Sequence, residues 1–87
     1  MEVDSETVLK PGTQIDQYVI VGLLGRGGFG ITYRIRDEML DKDFALKEFF
    51  PEELVRRENG SLKFSGRPNA EDDYRWALKK FFDEARL

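Results

Sequence analysis

The sequence predicts a small α+β fold. It consists of an antiparallel sheet of three strands, a short inserted hairpin and one helix. Three observations lead to this prediction. Runs of β-branched and aromatic residues flank a loop with four glycines in six residues. An Asn-Gly pair joins two later strand-like runs, which is typical of a hairpin. The last segment repeats apolar residues at helical spacing, and 87 residues hold at most one domain.

The three strands follow one another as an antiparallel meander. Residues 18–24 form the first strand, because Tyr, Val, Ile and Leu dominate there. In the second strand Ile31, Tyr33 and Ile35 alternate with polar residues, which predicts that one face of this strand is buried. A polar connection then leads to the third strand, over residues 44–49.

Two further segments frame the sheet. Residues 1–12 are predicted to be a flexible leader, which closes with a Pro-Gly turn. Residues 51–68 form an insert between the third strand and the helix. A proline opens this insert with a helical turn, and Asn59-Gly60 predicts a small hairpin within it. The main domain therefore covers residues 13–87.

The C-terminal segment is predicted to be an amphipathic helix. We expect Asn69 to cap it, and three acidic residues follow in the first turn, where the helix dipole favours negative charge. Glu84 lies about 60° from Phe81 around the helix axis and so borders the apolar face. That face repeats at intervals of four, three and four residues and consists of Tyr74, Leu78, Phe81 and Ala85.

Composition excludes several classes of function. The net charge is −3, with 14 basic and 17 acidic residues and no basic block, which argues against nucleic-acid binding. Cysteine and histidine are both absent, so the common metal ligands and the usual neutral-pH acid/base are missing. No apolar run is long enough for a membrane span, and the first residues lack a signal peptide. We therefore expect a cytoplasmic protein.

The glycine-rich loop has the spacing of a phosphate-binding loop. Gly25, Gly27 and Gly30 match the pattern G-x-G-x-x-G, which also occurs in dinucleotide-binding folds. A dinucleotide site requires a helix directly after the loop, whereas here strand-like residues follow. A strand-loop-strand arrangement favours backbone amides that lie over the phosphates of ATP. The alternative is an ordinary hairpin that binds no ligand.

Lys47 and Glu84 complete the candidate site. Residues 44–47 in the third strand match the V-A-I-K pattern, with Phe and Leu at its apolar places. By this match the Lys47 ammonium group would point to the α- and β-phosphates, and the small Ala45 would leave room for adenine. Glu84 is placed at the edge of the helix face that meets the sheet and would hold Lys47 in position. The alternative is that both are ordinary charged residues on solvated surfaces.

These motifs together make the chain resemble the N-terminal lobe of a protein kinase, most closely that of bacterial serine/threonine kinases. The resemblance covers roughly residues 13–87 and rests on the segments 24–33, 45–51 and 81–85. It implies that Lys47 and Glu84 are the catalytic pair, with Glu84 on the αC helix, and that Phe29 is the tip of the loop. It implies ATP contacts from Leu24, Gly25, Arg26, Gly27, Gly28, Phe29, Gly30, Thr32, Ala45 and Lys47, of which Leu24, Thr32 and Ala45 line the adenine pocket.

The chain departs from the kinase pattern in several places. Thr32 replaces the usual valine, and the 37 positions between Lys47 and Glu84 are about twice the usual separation because of the insert. The H-R-D and D-F-G motifs, which supply the catalytic base and the Mg²⁺ ligands, are absent. We expect no metal ligands in this chain and no phosphate transfer by the chain alone.

Two classes of function follow from this resemblance. In the first, the chain is the ATP-binding N-lobe fragment of a longer kinase that phosphorylates protein hydroxyls with ATP and Mg²⁺; the apolar pattern that still runs at Leu87 favours this. In the second, it is a stand-alone interaction or decoy module. A free-standing nucleotide-binding module is a weaker third alternative. In each case an open sheet edge predicts self-association or strand exchange.

Overall fold

The computed structural model describes residues 7–85 and shows an α+β fold, as predicted. Its main sheet has four antiparallel strands in the order β1-β2-β3-β4, and a separate two-stranded sheet forms the insert. One helix follows the insert. The elements are β1 (Gln14–Ile15), β2 (Tyr18–Arg26), β3 (Gly30–Asp37), β4 (Lys42–Phe49), β5 (Val55–Glu58), β6 (Ser61–Phe64) and α1 (Ala70–Ala85).

The alternation predicted for β3 places its apolar side chains in the core. Ile31, Tyr33 and Ile35 are 1%, 0% and 3% exposed, which confirms the predicted face. On the neighbouring strand the pairing shifts register between Ile20 and Gly22 and again between Leu23 and Gly25. Such irregularities increase the local twist of a strand, and here they lie next to the glycine-rich loop.

The core lies on one face of the main sheet and is covered by the segment that follows β4, by residues of α1 and by the N-terminal region. Phe50, Leu54 and Val55 are buried against β3, and Val8 and Leu9 pack on the same cluster. The amide of Leu9 donates to the Tyr33 hydroxyl at 3.1 Å. The segment predicted as a flexible leader is thus attached to the core from Thr7 onward, and residues 1–6 lie outside the described residues.

The insert contains the predicted hairpin. Asn59 and Gly60 have φ angles of 51° and 81°, as a two-residue turn with both residues in the left-handed region requires. Before the hairpin, the amides of Leu54 and Val55 donate to the Pro51 carbonyl at 2.8 and 3.0 Å and close the expected single turn.

Helix α1 begins where the sequence predicts and packs through aromatic contacts. The Asn69 carbonyl accepts the Asp73 amide at 2.9 Å, so Asn69 starts the helix through its main chain. The ring of Phe49 lies 5.1 Å from the ring of Tyr74 and 5.1 Å from that of Phe81. Buried Ala77 lies between these contacts on the same face. The side chain of Ala85, the last member of the predicted face, lies outside the described residues.

The turn between β3 and β4 is held by short-range polar contacts. One carboxylate oxygen of buried Asp37 accepts the amides of Met39 and Leu40 at 2.9 and 3.0 Å. Beside it, the guanidinium groups of Arg34 and Arg36 donate to Asp43, and these bonds lower the pKa of Asp43 from its ordinary value.

Among residues 7–85, no helix has both the length and the apolar character that crossing a bilayer requires.

Candidate functional site

A cleft of about 510 Å³ opens between the glycine-rich loop, β4 and helix α1. The loop forms one wall, Lys47 and Thr32 form the floor, and one face of the helix forms the other wall. The cleft is lined by Gly25, Arg26, Gly27, Gly28, Phe29, Gly30, Thr32, Lys47, Trp76, Ala77, Lys80, Phe81 and Glu84.

The loop is held by two main-chain hydrogen bonds and one ion pair. The Gly27 amide donates to the Gly30 carbonyl at 2.9 Å and closes the tip. The Phe50 amide donates to the Phe29 carbonyl at 2.9 Å and ties the loop to the chain just beyond β4. Arg26 forms an ion pair with Glu52 at 3.0 Å, which links the loop to the start of the insert. The Phe29 side chain is exposed at the tip.

Gly30 needs to be glycine because β4 passes directly beneath it. A Cβ atom at this position would lie 2.9 Å from the Glu48 carbonyl oxygen and 3.5 Å from the Lys47 side chain. At Gly25, Gly27 and Gly28 a Cβ would meet no atom within 4 Å. The backbone at those three positions is therefore open to a ligand, and the absence of side chains there permits close approach.

Lys47 and Glu84 line the same cleft but do not touch. Lys47 lies opposite Thr32 in the register of β3 and β4, and its ammonium nitrogen is 5.7 Å from the centre of the Phe81 ring. Glu84 is exposed on α1, on the cleft side. Within residues 7–85 no ion pair joins the two side chains, so the predicted Lys47–Glu84 pair is not formed in this structure.

The residues predicted to bind adenine are only partly brought to the cleft. Thr32 lines it, whereas Leu24 and Ala45 do not. Ala45 is exposed and lies two residues from Lys47, so it continues the same face of β4 toward the far end of the sheet. Leu24 is exposed on β2, next to the loop.

Trp76 and Lys80 also line the cleft, and the sequence interpretation did not include them. The Lys80 ammonium nitrogen is 5.4 Å from the centre of the Trp76 ring. Trp76, Lys80 and Glu84 recur every four residues and thus share one face of α1. That spacing is visible in the sequence, but which face of α1 lines the cleft depends on how the helix packs against the sheet.

The charges around the cleft favour an anionic ligand. Lys47, Lys80 and Arg26 contribute positive charge, and Glu84 is the one acidic residue among the lining side chains of the described chain. This local excess occurs in a protein whose net charge is −3. In residues 7–85 no group of three or more acidic side chains is arranged to hold a metal ion. The positive side chains that line the cleft make it suited to phosphate groups.

A polar cluster lies behind the cleft, on the buried face of the sheet. The Tyr33 hydroxyl donates to Glu48 at 2.9 Å, and Arg57 donates to both carboxylate oxygens of Glu48 at 2.9 and 3.0 Å. Arg57 also donates twice to the Thr7 carbonyl, at 3.0 and 2.7 Å. Burial raises the pKa of the Tyr33 phenol, and its bond to Glu48 adds to this increase.

The curled antiparallel sheet, its glycine-tipped hairpin and the single helix beside it define a kinase-like N-lobe fold. A solved structure of a bacterial Ser/Thr kinase fragment, described as "PpkA-294 apo form", matches the chain with a TM-score of 0.83 and 32% sequence identity. The match covers 91% of this chain and 28% of the PpkA fragment, so the chain spans about a quarter of that fragment's length. No protein-family profile and no curated protein sequence matches the chain.

Proposed function

We propose that this chain is the ATP-binding N-lobe of a cytoplasmic serine/threonine protein kinase, which transfers the γ-phosphate of ATP to protein hydroxyl groups. One observation carries the proposal. The open glycines of the loop, Lys47 and Glu84 all line one cleft, within a fold that matches a kinase fragment. These are the parts that a kinase N-lobe contributes to phosphate binding.

Each residue has a role in this proposal. The backbone of Gly25, Gly27 and Gly28 covers the phosphates, and Lys47 contacts the α- and β-phosphates. Glu84 pairs with Lys47 once a small movement of α1 releases the ammonium group from the Phe81 ring. Leu24, Arg26, Phe29, Gly30, Thr32 and Ala45 complete the nucleotide contacts. When bound, ATP supplies the phosphoryl group and brings Mg²⁺ coordinated to its phosphates.

The chain by itself is proposed to be catalytically inactive. The catalytic base and the protein ligands for Mg²⁺ belong, by the kinase resemblance, to a second lobe. We expect weak ATP binding by the 87-residue chain and phosphotransfer only when a second lobe is present. The protein substrate would then bind to that complete enzyme.

A titration with Mg-ATP tests the proposal. NMR spectra of the 87-residue chain should show saturable shifts at the amides of Gly25, Gly27 and Gly28, and Lys47→Ala should abolish them. Lys42→Ala is the matched control, because Lys42 is an exposed lysine at the other end of β4. Shifts that persist in Lys47→Ala would contradict the role of Lys47. Absence of any shift in the unmodified chain would favour the interaction module instead.

A further inference from the structure

The hairpin of the insert contacts β4 on the face opposite the cleft. The Nη2 atom of Arg57, on β5, donates to both oxygens of the Glu48 carboxylate, and the guanidinium carbon lies 5.0 Å from the centre of the Phe50 ring. Only 10% of the Arg57 side chain is exposed. Because Nε and Nη2 also both donate to the Thr7 carbonyl, the planar guanidinium is held in orientation as well as in distance.

Glu48 is held from a second direction as well. The hydroxyl of fully buried Tyr33, on β3, donates to the oxygen that also accepts from Arg57. Arg57 in turn holds the N-terminal segment through the Thr7 carbonyl. The Tyr33 hydroxyl and the Arg57 guanidinium therefore meet at the Glu48 carboxylate, and the same guanidinium joins the N-terminal segment to this cluster.

Glu48 lies next to the parts of the chain that form the cleft. Lys47 precedes Glu48 on β4, and its side chain projects from the opposite face. The Glu48 carbonyl is the nearest atom beneath Gly30, and the Phe50 amide holds the Phe29 carbonyl. Arg57 thus contacts Glu48 and Phe50, and these two residues are in turn connected to Lys47 and to the base of the glycine-rich loop.

We propose that Arg57 is a positioning residue for this cleft: the inserted hairpin, through the Arg57–Glu48 pair, sets the placement of Lys47 and of the glycine-rich loop. The inference rests on the proposed function, since it assigns the insert a purpose at the nucleotide site. Arg57 touches no ligand and acts from behind the sheet.

Amide hydrogen exchange in the ligand-free chain provides the first test. We expect Arg57→Ala to speed exchange about tenfold at the amides of Gly27 and Phe50. The lost charged hydrogen bond frees Glu48, which lies two residues before Phe50 and beneath Gly30, whose carbonyl accepts the Gly27 amide. The Ile20 amide, which donates to the Thr13 carbonyl at the other end of the sheet, should change little. An equal increase at all three amides, or none at Gly27 and Phe50, would overturn the proposal.

Matched variants separate positioning from folding. Arg56→Ala is the control, because Arg56 is the neighbouring arginine, is 63% exposed and pairs with Glu58 at 2.6 Å. It should leave exchange at the loop unchanged. Arg57→Lys keeps the charge without the planar guanidinium that joins Glu48 to Thr7, and it should give an intermediate result. If Arg57→Ala fails to fold, amide exchange at the same positions is measured in Arg57→Lys and Glu48→Gln instead.

Nucleotide titration provides the second test. ATP affinity should fall about tenfold in Arg57→Ala, stay unchanged in Arg56→Ala and recover in part in Arg57→Lys. If the unmodified chain binds no ATP, the proposed function fails, while the exchange measurements still decide whether the hairpin positions the loop. Equal ATP affinity in Arg57→Ala and in the unmodified chain would refute the positioning role even if ATP binds.

Discussion

Gly30 lies where the loop and β4 approach each other most closely. Because a Cβ at Gly30 would meet the Glu48 carbonyl at 2.9 Å, Gly30→Ala has to push the two backbones apart. We expect the free energy of unfolding to fall by about 1–3 kcal/mol, as for other overpacked sites. Urea denaturation of the purified chain measures it.

Gly28→Ala is the control for this substitution. Gly28 lies in the same loop, its Cβ would meet open space, and its backbone is outside the left-handed region. The free energy of unfolding should stay the same or rise by up to about 1 kcal/mol, because alanine restricts the unfolded chain. Equal losses in the two variants would show that the contact with Glu48 is unimportant.

Tyr33 makes the free energy of unfolding depend on pH in the alkaline range. Its pKa is raised in the folded state by burial and by Glu48, so the folded protein binds this proton more tightly than the unfolded chain. The stabilisation is complete below the phenol's ordinary pKa of about 10 and is lost as pH rises through the higher pKa of the folded state. The unmodified protein should therefore lose stability above about pH 10.

Tyr33→Phe isolates this effect. At neutral pH the variant should be less stable by about 1 kcal/mol, because the hydroxyl bond to Glu48 is missing. As pH rises above about 10, the difference between the two proteins should shrink, since phenylalanine has no proton to lose. Denaturation at a series of pH values measures it, and a constant difference would contradict the assignment.

At the scale of single residues, most of the cleft could be predicted from the sequence, because its main residues belong to short sequence motifs. The glycines of the loop and Lys47 were identified from spacing and strand context, and all of them line the cleft. The distance between Lys47 and Glu84 could not be predicted, because it depends on how α1 packs against Phe49. Trp76 and Lys80 were missed for the same reason.

At the scale of elements, the hairpin of the insert depends on its two-residue turn. Gly60 has a φ of 81° with open space around it, so Gly60→Ala is strained by the backbone alone. We expect it to lower the free energy of unfolding by about 1–2 kcal/mol. Gly66→Ala is the control, since Gly66 also has open space but lies outside the left-handed region. Thermal unfolding of both variants makes the comparison, and equal effects would contradict the turn assignment.

The sequence predicted the strands, the hairpin and the helix because each has a local pattern, but it did not predict how the N-terminal segment packs. Val8 and Leu9 contact the core through residues far along the chain, and the Thr7 carbonyl meets an arginine fifty positions later. No local propensity encodes such a contact. The short strand β1 was missed as well, because two residues carry too little pattern to identify a strand.

At the scale of the whole molecule, β1 and β4 are the two edge strands of the main sheet among residues 7–85, and β4 is the longer, with eight residues against two. We propose that the β4 edge pairs with a second copy of the chain at high concentration, because eight residues of backbone are available along it. Sedimentation velocity across a range of concentrations should show a reversible increase in mass. A compact monomer throughout that range would contradict the proposal.

Phe44→Lys should suppress this association. Phe44 is exposed in the middle of β4, and a charged side chain on an edge strand disfavours pairing with another edge. Leu40→Lys is the control, because Leu40 is also exposed but lies in the turn before the strand. Association that is unaffected by Phe44→Lys would show that contact occurs at another surface.

Trp76 is the one tryptophan of the protein, and it stands 62% exposed on the wall of the cleft with an ammonium group over its ring. The tryptophan fluorescence of the whole chain, excited selectively over its three tyrosines, therefore originates at the wall of the candidate binding site. Anything that enters the cleft and displaces Lys80 alters the quenching of this indole. The molecule thus carries a native optical reporter of occupancy, and no dye or label has to be attached.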